Sequence, residues 1–205
     1  MGLLNKFFGN TRKPVGFLGR IMVNGMNGGS HTTLAKWALN DFEIKPGSKA
    51  MDIGCGGGAN IARLLNKCQS VTGIDYSTVS VAKSQQYNRQ AIKDGRCIVM
   101  EGNVDALPFE ENSFDIVTAF ETIYFWPDIE NAYRQVRRVL KDGGRFLIVN
   151  ESDGDDPAYK KWEKIVEGMY TYTAAEIESN LKNAGFTDIR ITRNEKNFLK
   201  VVAVK

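Results

Sequence analysis

"AMDIGCGGGAN", residues Ala50 to Asn60, places four glycines in five positions (Gly54, Gly56, Gly57, Gly58) directly after an apolar run, with an aspartate, Asp52, just upstream. A glycine in a regular element costs roughly 0.5–1 kcal/mol relative to alanine. Such a cluster marks a turn that another group approaches closely. Downstream, "ANIARLLNK" carries Ile61, Leu64 and Leu65 at i, i+3 and i+4, a helix face. The stretch therefore reads as strand, glycine turn and helix.

The same rhythm continues outward. "SVTGID" is a second strand, and Ser77 is placed to cap the helix after it. "RCIVME" and "FDIVTAF" are a third and a fourth, joined by the polar, Pro108-bearing loop "GNVDALPFEENS". "DIENAYRQVRRVL" puts Ile129, Ala132, Tyr133, Val136, Val139 and Leu140 on one stripe of an amphipathic helix. Gly143–Gly144 are expected to end it, with "RFLIVNE" as a fifth strand. Strands alternating with helices imply βαβ units and a parallel sheet covered on both faces. The end of the chain differs. Thr173 and Glu176 offer a capping box for a helix stopped at Gly185, and "DIRITR" and "FLKVVAVK" then follow as an antiparallel pair. The expected organisation is a single domain, residues 1–205, with an N-terminal helical arm or lid (1–45) and a Rossmann-like core (46–205).

With 205 residues, 42% hydrophobic and 25% charged, the chain has the balance of a globular protein. No apolar run approaches the ~20 residues needed to span a bilayer. Lys6 interrupts the apolar start and no small-residue cleavage site follows, so no signal peptide is expected. Lys6 also stands where a myristoylation signal wants Ser or Thr. Cys55, Cys68 and Cys97 form no CxxC pair and leave an odd thiol, as suits a reducing, cytoplasmic setting. A net charge of +3 is too weak to argue for nucleic acid. Lys6, Arg12, Lys13 and Arg20 precede any acidic residue, a basic arm that is either simply solvated or faces a substrate or membrane.

In an open α/β sheet the ligand site lies beyond the carboxyl ends of the strands, where the first strand-to-helix turn sits. Gly54-x-Gly56-x-x-Ala59, with Asp75 further on, formally satisfies a dinucleotide fingerprint, so an NAD-dependent oxidoreductase is one reading. Asp52 opposes it, because a carboxylate at the strand end would repel a diphosphate. It suits a cationic ligand such as S-adenosylmethionine, which carries an ammonium and a sulfonium.

From about Lys49 onward the sequence resembles the class I S-adenosylmethionine-dependent methyltransferases, particularly the small-molecule branch of ubiquinone/menaquinone-biosynthesis methyltransferases. "MDIGCGGG", "GIDYS", "GNVDALPFEENSFD", "VLKDGGRFLIV" and "TAAEIESNLKNAGF" carry the likeness. It implies a Rossmann-like, doubly wound, mostly parallel seven-stranded α/β sheet with an antiparallel C-terminal strand and helices on both faces. It also implies S-adenosyl-L-methionine as cofactor. Gly54, Cys55, Gly56 and Gly58 would form its loop, Asp75 would take the ribose hydroxyls, and Tyr76 would pack on the adenine. Asn103 and Val104 stand where the family usually has Asp-Ala beside the adenine amino group, and Phe120 would wall the methionine part.

Methyl transfer needs a base only when the acceptor must lose a proton. His31, Glu121 and Tyr124 are the candidates, each with a bland alternative: a capping or surface histidine, a plain strand-end acid, a packing aromatic. "FETIYFWPD" lacks the Asn/Asp-Pro-Pro-Tyr pattern of enzymes that methylate exocyclic or amide nitrogens, no Pro-Cys pair supplies a cytosine C5 nucleophile, and no cluster has metal spacing. Only some twenty residues separate the fifth strand from the final helix, too few for a macromolecule-binding domain. Tyr159, Trp162, Tyr170 and Tyr172 in that stretch are expected to roof a small acceptor or to serve as outer core. The function expected is methyl transfer to a small molecule, without nucleic acid and without an integral membrane partner; a non-catalytic S-adenosylmethionine-binding module stays open beside it.

Overall fold

Helix α1 (Gly29–Asn40) leads into β1 (Lys49–Ile53), and α2 (Ala59–Leu65) follows directly after the glycine turn. The computed structural model describes residues 14–16, 28–152 and 154–205. The chain continues through β2 (Ser70–Asp75), α3 (Thr78–Tyr87), α4 (Arg89–Lys93), β3 (Cys97–Glu101) and β4 (Phe114–Phe120). Then come α5 (Ile129–Val139), β5 (Leu140–Asn150), α6 (Pro157–Ile165), α7 (Ala174–Asn183), β6 (Thr187–Arg193) and β7 (Leu199–Val204).

The seven strands form one sheet in the order β3-β2-β1-β4-β5-β7-β6. Strands β1 to β5 pair in parallel, whereas β7 lies antiparallel between β5 and β6. The order reverses between β1 and β4, and that reversal opens a crevice at their carboxyl ends. Both faces of the sheet are covered, as the period-2 burial of the strands requires. On β1, Met51 joins the cluster packed under α5 and α7, while its neighbour Ala50 joins the cluster under α1 and α2. Tyr133, Val136 and Val139 of α5 are fully buried. Val136 and Val139 each contribute roughly 1.5–3 kcal/mol of burial.

The predicted caps are present. Ser77 Oγ accepts from Ser80 N at 3.3 Å, and Thr173 and Glu176 make the reciprocal capping box of α7. Three boundaries differ from expectation. Helix α5 ends at Val139 and β5 begins at Leu140, so Gly143–Gly144 do not stop the helix; Gly143, at φ +73°, lies within the strand, which shifts register against β4. The polar loop after β3 contains a 3-10 turn, Val104–Ala106, and another, Ile123–Phe125, follows β4. The stretch after β5 holds α6, for which no periodicity argued. Of the expected arm or lid, Gly29–Asn40 packs as part of the core: Leu34, Ala35, Ala38 and Leu39 are buried against Ile61, Leu64 and the sheet. Arg63 on α2 ties to it through Thr32 Oγ1 at 3.0 Å. Lys6, Arg12, Lys13 and Arg20 lie outside the described residues.

Candidate functional site

The crevice at the β1/β4 reversal widens into a cavity of about 660 Å³, within the range of small-molecule sites. Its cofactor-side wall is the glycine turn, and the glycines serve three different ends. Gly54, at φ +70°, lies so close to Thr122 that a Cβ would come within 2.4 Å of its methyl. Gly58, at φ +82°, packs on α3, where a Cβ would meet Ser84 Oγ and Asn88 Nδ2 at 2.5 Å. Gly56, at φ +51°, has nothing within 4 Å of the Cβ position and faces open space. Of these three, Gly56 alone has open space at its Cβ position; the other two satisfy the protein's own packing.

Asp75 ends β2 on the cavity wall, and its two oxygens accept from Gly56 N and Ser77 N, both at 2.9 Å. Burial raises its pKa while these bonds oppose the rise. A carboxylate has about four lone-pair sites, so capacity remains for ligand hydroxyls. Asp52 is placed differently. It is 2% exposed and absent from the cavity wall, with Oδ1 accepting from Thr118 Oγ1 at 2.6 Å. Burial pushes its pKa up to about 7. Asp52 thus does not reach the cavity, contrary to the expectation from sequence.

Cys55, Tyr76, Asn103, Val104 and Phe120 all line the cavity. Asn103 spends part of its amide locally: Oδ1 accepts from Asp105 N at 3.3 Å and Nδ2 lies 3.2 Å from Asp105 Oδ2. The side chain caps the 3-10 turn, which holds Val104 against the cavity. Cys55 is buried, and that burial pushes its thiol well above the usual range, so it stays protonated and unreactive.

The far end gathers the candidate bases. His31, on the first turn of α1, reaches the wall, as do Glu121 and Tyr124. Glu121 adopts φ +58°, a conformation uncommon for a residue with a side chain, and its N–H donates to Val149 O at 2.9 Å. The Tyr124 hydroxyl donates to Glu121 Oε1 at 3.1 Å, and the backbone N–H of Glu151 donates to the same oxygen. Burial, then the carboxylate of Glu151, pushes the pKa of Glu121 up to about 8. Tyr124 is driven well above the usual phenol value, chiefly by burial and then by Glu121. Its geometry makes it a donor to Glu121 rather than a base.

Glu151, Thr122, Trp126 and Pro127 also line the cavity and were missed from sequence. A signal for Glu151 existed: like Glu121 it is an acid just past the carboxyl end of an apolar strand, but it reads as the last letter of "RFLIVNE". Tyr159 and Trp162 reach the cavity from α6, as expected of a roof. Tyr170 and Tyr172 do not; Tyr170 is 48% exposed and donates to Glu176 Oε1 at 2.7 Å.

A glycine turn and ribose-type acid at the reversal of a 3-2-1-4-5-7-6 sheet define the class I methyltransferase fold. The comparisons agree. A family model described as a methyltransferase domain matches residues 51–148. The chain is 30% identical over 165 residues to 24-methylenesterol C-methyltransferase 3 of Arabidopsis thaliana, covering 75% of this chain and 45% of the relative. It spans less than half the length of the curated relatives it matches. Among solved structures, a chain of the Haloferax volcanii complex between the Trm112 methyltransferase activator and the putative methyltransferase superposes with a TM-score of 0.81, at 20% identity, over 90% of this chain and 93% of that one. A SAM-dependent methyltransferase from Aquifex aeolicus gives 0.74 at 18% identity, over 90% and 97%. Residues 51–148 thus match a methyltransferase domain model, and the chain has a Rossmann-like methyltransferase fold.

Proposed function

We propose that this chain is an S-adenosylmethionine-dependent methyltransferase acting on a small-molecule acceptor. The observation that carries the reading is one cavity running from the turn at Gly54–Gly58 and Asp75 to the Glu121, Tyr124 and Glu151 end. When bound, the cofactor supplies an electrophilic methyl group on a sulfonium. In this reading Gly56 offers bare backbone, Asp75 holds the ribose hydroxyls, Tyr76 and Val104 flank the adenine, and Phe120 walls the methionine part. Asn103 has one amide hydrogen left for the adenine edge. Orientation and exclusion of water then account for most of the rate.

The acceptor's body is apolar or aromatic, as Phe125, Trp126 and Trp162 on the wall suggest. The resemblance to the ubiquinone/menaquinone branch and the sterol named in the Arabidopsis relative both fit such a body. Three buried free thiols suit a reducing compartment, which supports a cytoplasmic address, and no described helix is long and apolar enough to cross a membrane. We take the acceptor to be free in solution rather than part of a nucleic acid. Most of the expected arm or lid before α1 lies outside the described residues.

Calorimetric titration tests the cofactor. S-adenosylmethionine and S-adenosylhomocysteine are expected to bind in the micromolar range common for enzyme substrates, and NAD not at all. NAD binding without S-adenosylmethionine binding would return the turn to the dinucleotide reading. Turnover with any metabolite of a methyl-acceptor panel separates an enzyme from a binding module.

A further inference from the structure

We infer that the acceptor presents an amine, and that Glu121 and Glu151 together receive its ammonium. The inference rests on the methyltransferase reading above and names its substrate class. Among the described residues that line the cavity there are three carboxylates, Asp75, Glu121 and Glu151, and no lysine or arginine. Asp75 belongs to the cofactor side. The other two face each other at the acceptor end, where the Glu151 N–H donates to Glu121 Oε1. Glu151 Oε1 is buried and has no hydrogen-bond partner among the described residues. An acceptor oxygen at the cavity wall that no described residue pairs is available to a donor carried by the ligand. Tyr124 and Tyr159 lie near Glu151 and line the same cavity, and aromatic rings are the surroundings in which ammonium groups are recognised.

Other acceptor chemistries fit less well. An alkene carbon gains from the carboxylates only once methylation has made its neighbour a carbocation, and before that step it brings no N–H to the unpaired oxygen. A phenol could give its proton to Glu121, but the phenolate would then sit against a second carboxylate. An ammonium gives up its proton and leaves a neutral nucleophile. The step balances: the ammonium N–H proton passes to the carboxylate pair, and the nitrogen lone pair forms the new N–C bond. The C–S bond breaks with its electrons going to sulfur, which yields S-adenosylhomocysteine and a methylated ammonium.

The test is calorimetric titration of the full chain, saturated with S-adenosylhomocysteine near neutral pH. The probes are 2-phenylethylamine against 2-phenylethanol and tryptamine against tryptophol, pairs that differ only in the amine. At least one amine is expected to bind about tenfold tighter than its alcohol, and Glu151→Gln to bring that ratio to within about twofold. The variant's affinity for S-adenosylhomocysteine, expected within about twofold of the parent, certifies its fold. Absence of an amine advantage in both pairs, whether both partners bind or neither does, overturns the inference, as does an advantage undiminished in Glu151→Gln. Failure of S-adenosylhomocysteine itself to bind overturns the methyltransferase reading beneath, so the two failures are told apart.

Discussion

Glu121 is held in place by its neighbours at some cost to itself. A left-handed backbone at φ +58° costs a side-chain-bearing residue roughly 1–2 kcal/mol, and the 3-10 turn that follows brings Tyr124 back to donate to it. With its pKa at about 8 in the absence of a ligand, the carboxyl is mostly protonated near neutrality and gains base character as pH rises; an ammonium beside it favours the ionised form and draws that pKa down. With an amine that turns over, kcat/KM is expected to climb through an apparent pKa near 8 and to lose that limb, with about a hundredfold of rate, in Glu121→Gln. Initial rates against pH check it; an unchanged limb removes Glu121 from the chemistry. Asp75 makes the second residue-scale prediction. If Asp75 holds the ribose as proposed, Asp75→Ala removes charge-assisted bonds and should cost about 2–3 kcal/mol of S-adenosylmethionine binding. Because Asp75 also accepts from Gly56 N and Ser77 N, thermal melts must accompany the titration to show that the turn survives.

Between β1 and α2, neighbouring glycines that look alike in sequence are not equivalent. Gly58→Ala would drive a methyl to 2.5 Å from Ser84 Oγ and 2.9 Å from Ser84 Cα on α3, so it must move a helix. Gly56→Ala meets nothing and pays only for its positive φ, on the order of 1 kcal/mol. Urea denaturation should therefore rank Gly58→Ala well below Gly56→Ala in stability, while cofactor titration shows Gly56→Ala impaired at the site. Equal losses of stability would dissolve the distinction. The helices were legible for local reasons: α5 repeats apolar residues at helical spacing, and α7 opens with its own cap. The α5/β5 boundary was not. Gly143 and Gly144 resemble a helix stop, yet the helix ends at Val139 because pairing with β4 captures the chain from Leu140 onward. Tertiary hydrogen bonding overrode local propensity there.

Across the whole molecule, buried acids give stability a pH dependence of definite sign. Asp52 rises from 3.8 to about 7 and Glu121 from 4.5 to about 8, both first through burial, and Asp75 shifts in the same direction. A raised carboxyl binds its proton more tightly folded than unfolded, so stability falls as pH rises from about 4 to about 8. Asp41, Asp115 and Glu176 are lowered, and their opposite effect is confined to pH below about 4.5. The urea midpoint without ligand is therefore expected to be higher near pH 5.5 than near pH 8, and the Asp52→Asn, Glu121→Gln double variant should flatten the difference. A midpoint that rises toward pH 8 would contradict the burial of both groups.

The strand and helix alternation, the glycine turn, the antiparallel ending and the position of Asp75 were all determined by the sequence itself, since each depends on spacing within a few residues or on a side chain's own backbone. Those features suffice for the fold and for locating the cavity end where the cofactor is proposed to bind. The acceptor half was decided by the tertiary structure. Glu121 and Glu151 lie thirty residues apart and meet only because β4 and β5 run side by side and end together. Asp52 looked like a ligand contact from its place beside the glycines, until pairing of β1 with β4 put Thr118 against it and closed it from the cavity. Tyr159 reaches the site while Tyr170 turns to Glu176, a choice made by how α6 packs and not by either residue's neighbours. Spacing along a chain records which face a residue shares with its neighbours; which strand ends stand together is set by sheet order, a property of long-range pairing.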